Sequence, residues 1–261
     1  MSPTAQPPIA VQLWSVRDHL AADFDGTVAT LADIGFAGVE TAFGVEGDLD
    51  EEHIVQASGI FSKYGLQVCS AHVEIPLGKD LDAVLRQADI LGTRRIVWHG
   101  WPEDPRYGSK AGVDELIDMY GRANDVARAE GLEFGIHNHW WELQPVDGTP
   151  SLELLHAALD PSVFFELDVY WATVAGVDPV ALITRLGSRA QLIHVKDGAA
   201  EDVDAPMVAL GQGTIRLEPT LAAAEDAAWW IVEFDACDGD IFDALSVSRQ
   251  YLRALATEAT S

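Results

Sequence analysis

The sequence predicts an α/β protein built as one (β/α)8 barrel, a single domain over residues 1–261 with 1–8 as a flexible lead-in. Three observations predict it. Short apolar runs alternate with longer amphipathic stretches about eight times, the pattern of parallel strands joined by helical crossovers. A glycine follows five of the amphipathic stretches, at Gly35, Gly65, Gly92, Gly131 and Gly187, where a left-handed residue ends a helix ahead of a strand. The length of 261 residues is close to the roughly 250 that such a barrel needs. No Ser/Gly-rich, charge-rich or low-complexity stretch divides the middle of the chain.

The elements follow in order. The first strand is expected over 9–13, followed by a helix over about 23–34 capped by Asp23 or Asp25 and stopped by Gly35. Strand and helix then alternate at 38–40 and 50–64, 66–71 and 81–91, 95–98 and 114–130, and 132–136 and 151–159. The last three pairs are 163–167 and 179–186, 191–195 and 217–227, and 230–234 and 241–256. Each strand run is rich in Val, Ile, Leu or Phe and short enough to be a buried parallel strand. Trp229 and Trp230 open the last run and read as core. The competing fold, a doubly wound open sheet, lacks support because no G-x-G-x-x-G or phosphate loop follows the first strand.

Composition excludes several function classes. Sixteen Lys plus Arg face 42 Asp plus Glu, for a formal charge of −26. Such a surface repels nucleic-acid backbones and anionic membranes, so neither is an expected partner. Its simplest reading is solubility or adaptation to a salty interior. Cys69 and Cys237 are too few for a disulfide framework. The first residues carry no basic segment followed by an apolar run, and no apolar stretch approaches the ~18 residues of a membrane span. A cytoplasmic location is expected.

In a barrel of this kind chemistry gathers where the strands end. The first run ends in Gln12-Leu-Trp14-Ser-Val-Arg17, the second at Glu40, the third at His72 and Glu74, and the fourth at Trp98-His99. The fifth leads into His137-Asn138-His139-Trp-Trp-Glu142, the sixth into Glu166-Leu-Asp168-Val-Tyr-Trp171, the seventh into His194-Val-Lys196-Asp197, and the eighth into Glu233-Phe-Asp235. Any one of these residues could be a hydrogen-bonded structural group. So many converging on one rim need another reason, because buried charge is costly unless paired or bound to metal. Asp168, His194 and Glu233 on consecutive strands read as a metal cage that one ligand from the fifth strand would complete. Oxygen-rich donors with one imidazole suit Mn²⁺, Mg²⁺, Co²⁺ or Zn²⁺, with manganese taken first.

The phrases Val11–Asp18, Gly35–Glu40, Ile136-His-Asn-His139 with Glu142, Leu167–Ala172 followed by Gly176–Pro179, His194–Asp197 and Val232–Asp235 occur in order along nearly the whole chain. The sequence thereby resembles the xylose-isomerase-like TIM barrels, the AP-endonuclease family 2 fold, which includes sugar phosphate isomerases and epimerases. The resemblance implies a Glu-Asp-His-Glu metal site. Asp168, His194 and Glu233 fill three places; Glu142 is the favoured fourth ligand and His137 the alternative, because His137 stands where many relatives carry Glu.

The chemistry that the resemblance implies is proton abstraction next to a carbonyl of a keto-sugar or polyol, with the cation stabilising the enediolate. Glu142 and Glu233 are the expected acid–base groups, with His137 and Lys196 available to move protons. Trp14, Arg17, Glu40, His72, His99, His139 and Trp171 are expected to bind substrate. The competing reading is salt bridging for Arg17, Glu40 and His72, and loop packing or an oligomer contact for the tryptophans. A lyase or dehydratase of a keto-inositol or 3-keto-glycoside is the second expectation. A non-catalytic sugar-binding barrel is the third, and homo-oligomerisation is left open.

Overall fold

The computed structural model describes residues 6–44 and 50–258. Eight parallel strands close into a barrel: β1 (Ile9–Gln12), β2 (Gly38–Thr41), β3 (Gln67–Val73), β4 (Arg95–Trp98), β5 (Glu133–His137), β6 (Phe164–Asp168), β7 (Ala190–Val195) and β8 (Trp229–Val232). Each pairs with its sequence neighbours, and β8 closes the ring on β1 through Ile9 opposite Trp230 and Val11 opposite Val232. Of the expected flexible lead-in, 1–5 lie outside the described residues. Gln6 donates to the Leu252 carbonyl at 2.9 Å, and the Pro8 carbonyl accepts from the Trp230 amide.

The helices form where local chemistry asks for them. Asp23 caps the helix Phe24–Ile34 by accepting from the Gly26 amide, and Asp50 caps Glu51–Lys63 through the amides of Glu52 and His53. Gly35 and Gly92 end their helices at φ 98° and 67°, a left-handed turn that costs glycine nothing. The helix Lys110–Ala129 starts earlier than its apolar periodicity suggests, because Ser109 caps it by accepting from Gly112. The helix Leu217–Ala223 stops four residues short of expectation.

The lumen changes character along its axis. Alternate strand residues point inward, and at the N-terminal end they are apolar: Ala10, Cys69, Val97, Phe164, Leu192 and Ile231 form a separate buried cluster with Trp229. Gly135 leaves room there for the Phe164 ring, which would lie 2.2 Å from any Cβ added at that glycine. Two residues further along, on or just past the ends of β1, β4, β5, β6, β7 and β8, the positions become Gln12, His99, His137, Glu166, His194 and Glu233, all buried. The fold therefore lifts a polar layer onto an apolar plug. Among the described residues, no helix is long and apolar enough to cross a membrane.

Candidate active site

The polar layer is a continuous network. Glu40, wholly buried, accepts from Gln12 Nε2 at 2.7 Å and from the Ser70 hydroxyl, and its Oε1 lies 2.6 Å from His194 Nε2. The other face of His194 presents Nδ1 to Glu233 Oε2 at 2.7 Å. His72 Nε2 is 2.6 Å from Glu166 Oε2, and His137 Nδ1 lies 3.0 Å from the same oxygen without hydrogen-bond alignment. Lys196, buried above them, places Nζ at 2.9 Å from Asp168, 2.7 Å from Glu233 and 2.6 Å from Asp235.

Charge is unevenly matched here. Asp168, Glu233 and the partly exposed Asp235 face the Lys196 ammonium, and the buried Glu40 and Glu166 face histidines. Burial and the neighbouring Glu40 charge push Glu166 well above the carboxylate range, and burial likewise raises Asp235. Burial opposes ionisation of Glu40 too, but His72 and His194 outweigh it and hold Glu40 down at about 2. Lys196 and His194 likewise hold the Glu233 carboxyl well below the usual carboxylate range, against its burial. Burial keeps His72, His99 and, most strongly, His137 neutral. His194 is the exception: burial works against its proton, yet Glu166, Glu233 and Glu40 together raise it well above the ordinary histidine value.

The structure brings together most of the residues that the sequence singles out. Donor atoms of Asp168, His194 and Glu233 lie within 4.8 Å of one another, as do those of His72, His137, Glu166 and His194. Asp168 Oδ1 is engaged in capping the helix Val169–Val174 through the amides of Tyr170 and Trp171, whereas its buried Oδ2 faces Lys196 without a hydrogen bond. A carboxylate oxygen that makes no hydrogen bond and has only the Lys196 ammonium opposite it, beside an imidazole and a second carboxylate, is a donor set that fits a divalent cation. Glu142 belongs to neither group. It sits in a 3-10 turn, where Oε2 accepts the His139 amide at 2.7 Å and Oε1 faces His139 Nδ1 at 3.6 Å. Gly100 permits this placement, since a Cβ there would come 2.6 Å from Glu142 Oε1. Burial raises the Glu142 carboxyl.

Over this layer opens a cavity of about 270 Å³. His72, His99, His137, His139 and Glu233 line its floor, and Trp14, Trp101, Trp140 and Trp171 its walls. His139 stacks on the buried Trp141 at 4.1 Å, and Trp140 packs on Trp171 at 4.8 Å. Arg17 and Glu40 are outside the lining: Arg17 is exposed and lies over the Trp14 ring, and Glu40 sits beneath the floor. The four amides of Gly198, Gly211, Gly213 and Ile215 donate to the buried Asp197. Asp197 thus anchors the segment after β7 whose Val203 closes one side of the cavity.

Sequence reasoning passed over Glu166, Ser70 and Gln12 as site residues, and treated Asp235 only as a strand end. Glu166 had a signal: it precedes Asp168 by two residues and so shares its inward face. A larger hollow of about 630 Å³ lies at the opposite end of the barrel, lined by Leu66, Gln67, Arg94, Arg95 and Glu133 among others. It contains neither of the two donor groups, so the smaller cavity is the chemical one.

The model of the xylose isomerase-like TIM barrel family matches residues 28–255. This chain belongs to that family. No match is found among curated proteins. Solved structures share the fold at low identity. A sugar phosphate isomerase/epimerase from Parabacteroides distasonis is 23% identical with a TM-score of 0.76, covering 97% of this chain and 96% of its own. D-allulose 3-epimerase from Methylomonas sp. is 15% identical with a TM-score of 0.71, covering 98% and 100%. A probable 3-DHS dehydratase from Bacillus anthracis is also 15% identical with a TM-score of 0.71, covering 94% and 98%.

Proposed function

We propose that this family member is a divalent-metal-dependent isomerase or epimerase of a small keto-sugar or polyol. One observation carries the reading: Asp168 and His194 converge with Glu233, which lines a tryptophan-walled cavity, and the buried Asp168 Oδ2 makes no hydrogen bond and pairs only with the Lys196 ammonium. Asp168, His194 and Glu233 would hold the ion, with manganese the first choice. When bound, it supplies positive charge for the oxygens of a carbonyl and its neighbouring hydroxyl.

The chain's own groups do the rest. Glu233 at the end of β8 and His99 just past the end of β4 come from diametrically opposite strands of the ring. One can take a carbon-bound proton while the other returns one to the far face, the arrangement that an epimerisation needs. His137, kept neutral by burial, lies beside them as a second proton carrier. Glu142 acts through His139, fixing its ring against the wall rather than touching the substrate. The indole faces of Trp140 and Trp171 offer a platform for the apolar face of a sugar ring. The buried indole N–H of Trp171, which has no partner, offers a donor for a hydroxyl.

Among the described residues, no lysine or arginine lines the cavity. That favours an unphosphorylated ligand, and the net charge of −26 argues against an abasic nucleic acid. A lyase or dehydratase is the second reading. It is favoured by His99 and His137, imidazoles that line the cavity together with Glu233 and so place candidate acids near a base. A screen of unphosphorylated keto-sugars, keto-polyols and their phosphates, with and without Mn²⁺, tests the proposal. Conversion of an unphosphorylated ligand only when the ion is present is the expected result. Conversion that survives exhaustive chelation would refute metal dependence, and a preference for phosphates would refute the substrate class.

A further inference from the structure

The two donor groups meet at a single side chain. His194 presents Nδ1 to Glu233 at 2.7 Å and Nε2 to Glu40 at 2.6 Å and Glu166 at 3.3 Å, and its donor atoms belong both to the group with Asp168 and Glu233 and to the group with His72, His137 and Glu166. The second group is not the one argued above. It consists of three imidazoles and one carboxylate, drawn from four different strands and at least nine-tenths buried. Two of its polar atoms, His137 Nδ1 and Glu166 Oε1, are buried without a hydrogen-bond partner. Three imidazole nitrogens surround Glu166 Oε2 at 2.6, 3.0 and 3.3 Å. His72 and His137 also line the cavity floor, so an ion can reach them from above.

We propose that His194 separates two alternative cation seats: a carboxylate seat on its Nδ1 side, and a histidine seat on its Nε2 side formed with His72, His137 and Glu166. A neutral imidazole has one lone pair and one N–H, so it serves one ion at a time. Each choice already has an acceptor for the remaining N–H. With the ion at Nδ1, Nε2–H donates to Glu40 Oε1 at 2.6 Å; with the ion at Nε2, Nδ1–H donates to Glu233 Oε2 at 2.7 Å. Such partners fix the tautomer of a ligating histidine. The seats differ in chemistry. The oxygen-rich one suits Mn²⁺ or Mg²⁺, and the one with three imidazoles suits Zn²⁺. Zinc in the lower seat excludes manganese from the upper one. This rests on the reading of the cluster as a cation site, and it assigns a second, competing ion to it.

Chelator-stripped full-length protein is dialysed to equilibrium against Zn²⁺, Mn²⁺ or both, and bound metal is measured by elemental analysis. The expected result is one equivalent of either ion and one in total from the mixture. His137→Gln weakens zinc about tenfold or more and leaves manganese within about threefold; Asp168→Asn does the reverse. His72→Gln replaces His137→Gln if that variant does not fold by circular dichroism. Two equivalents from the mixture overturn the exclusivity, and equal weakening of both ions by both variants overturns the existence of two seats while leaving the proposed function standing. Failure of wild-type protein to bind either ion overturns both proposals.

Discussion

The two ends of one lumen differ by a step of two residues. On β6 the inward series runs Phe164, Glu166, Asp168; along β7 and just past its end it runs Leu192, His194, Lys196; along β8 and past its end it runs Ile231, Glu233, Asp235. The first member of each series lies in the apolar plug, and the later ones in the charged network. The plug makes the network possible. Its buried apolar side chains fill the lumen directly beneath the charged groups. The price is a layer of ionisable groups in a poorly solvated space, which hydrogen bonds alone leave incompletely matched. One end supplies rigidity and the other stores unsatisfied polarity, and the second is what a ligand or ion can use.

This contrast yields tests of decreasing size. At the polar end, Glu233→Gln removes a negative charge and a proton acceptor at nearly constant volume. Turnover of the substrate found by screening is expected to fall by about 10²–10⁴-fold, with the fold retained by circular dichroism and the melting temperature lowered, because Lys196 and His194 lose a buried charged partner. Wild-type turnover would break the division between the two ends. At the apolar end, Phe164→Ala leaves a cavity beside Gly135 and is expected to cost about 3–5 kcal/mol of unfolding free energy in urea titration. Folded protein should keep its kcat. A variant as stable as wild type would show that the plug is not packed as described.

Manganese at a hundredfold excess over its Kd is expected to add about 2.7 kcal/mol to stability, read as an upward shift in melting temperature. The pH dependence has a definite sign. His194 holds its proton well above the ordinary value when no ion is bound, and ligation requires a free ring nitrogen. Metal uptake must therefore release a proton, and affinity must rise with pH. Calorimetry in two buffers of different ionisation enthalpy measures that release, and affinity independent of pH would contradict it. The smallest effect belongs to the walls. Trp140→Ala should raise KM by about tenfold, of the order of one aromatic contact, with kcat nearly constant. A loss confined to kcat would place Trp140 in the chemistry instead.

Much of the barrel was legible because its strands are buried on both faces and so read as continuous apolar runs. Arg95–Trp98 and the helices Leu81–Leu91 and Pro179–Leu186 match expectation residue for residue. Strand ends were less legible. β6 continues to Asp168 and β8 stops at Val232, because hydrogen bonding to neighbours, and not hydrophobicity, decides where a strand ends. The placement of Asp168, His194 and Glu233 followed from the run endings, since period-two alternation fixes which residues face inward. The route of Glu142 did not. It lies beyond the strand, in a turn whose direction depends on the space beside Gly100.

The amino-acid order alone determined the alternation of strand and helix, the closure into eight units and the kinds of donor gathered at one end, because periodicity and chain length dictate these locally. Only the tertiary structure decided that Glu40 lies under the floor, that Glu142 leans on His139, that Arg17 stays outside, and that Glu166 joins three histidines. Those outcomes depend on how close residues from distant strands come across a lumen a few side chains wide. No local pattern encodes that distance.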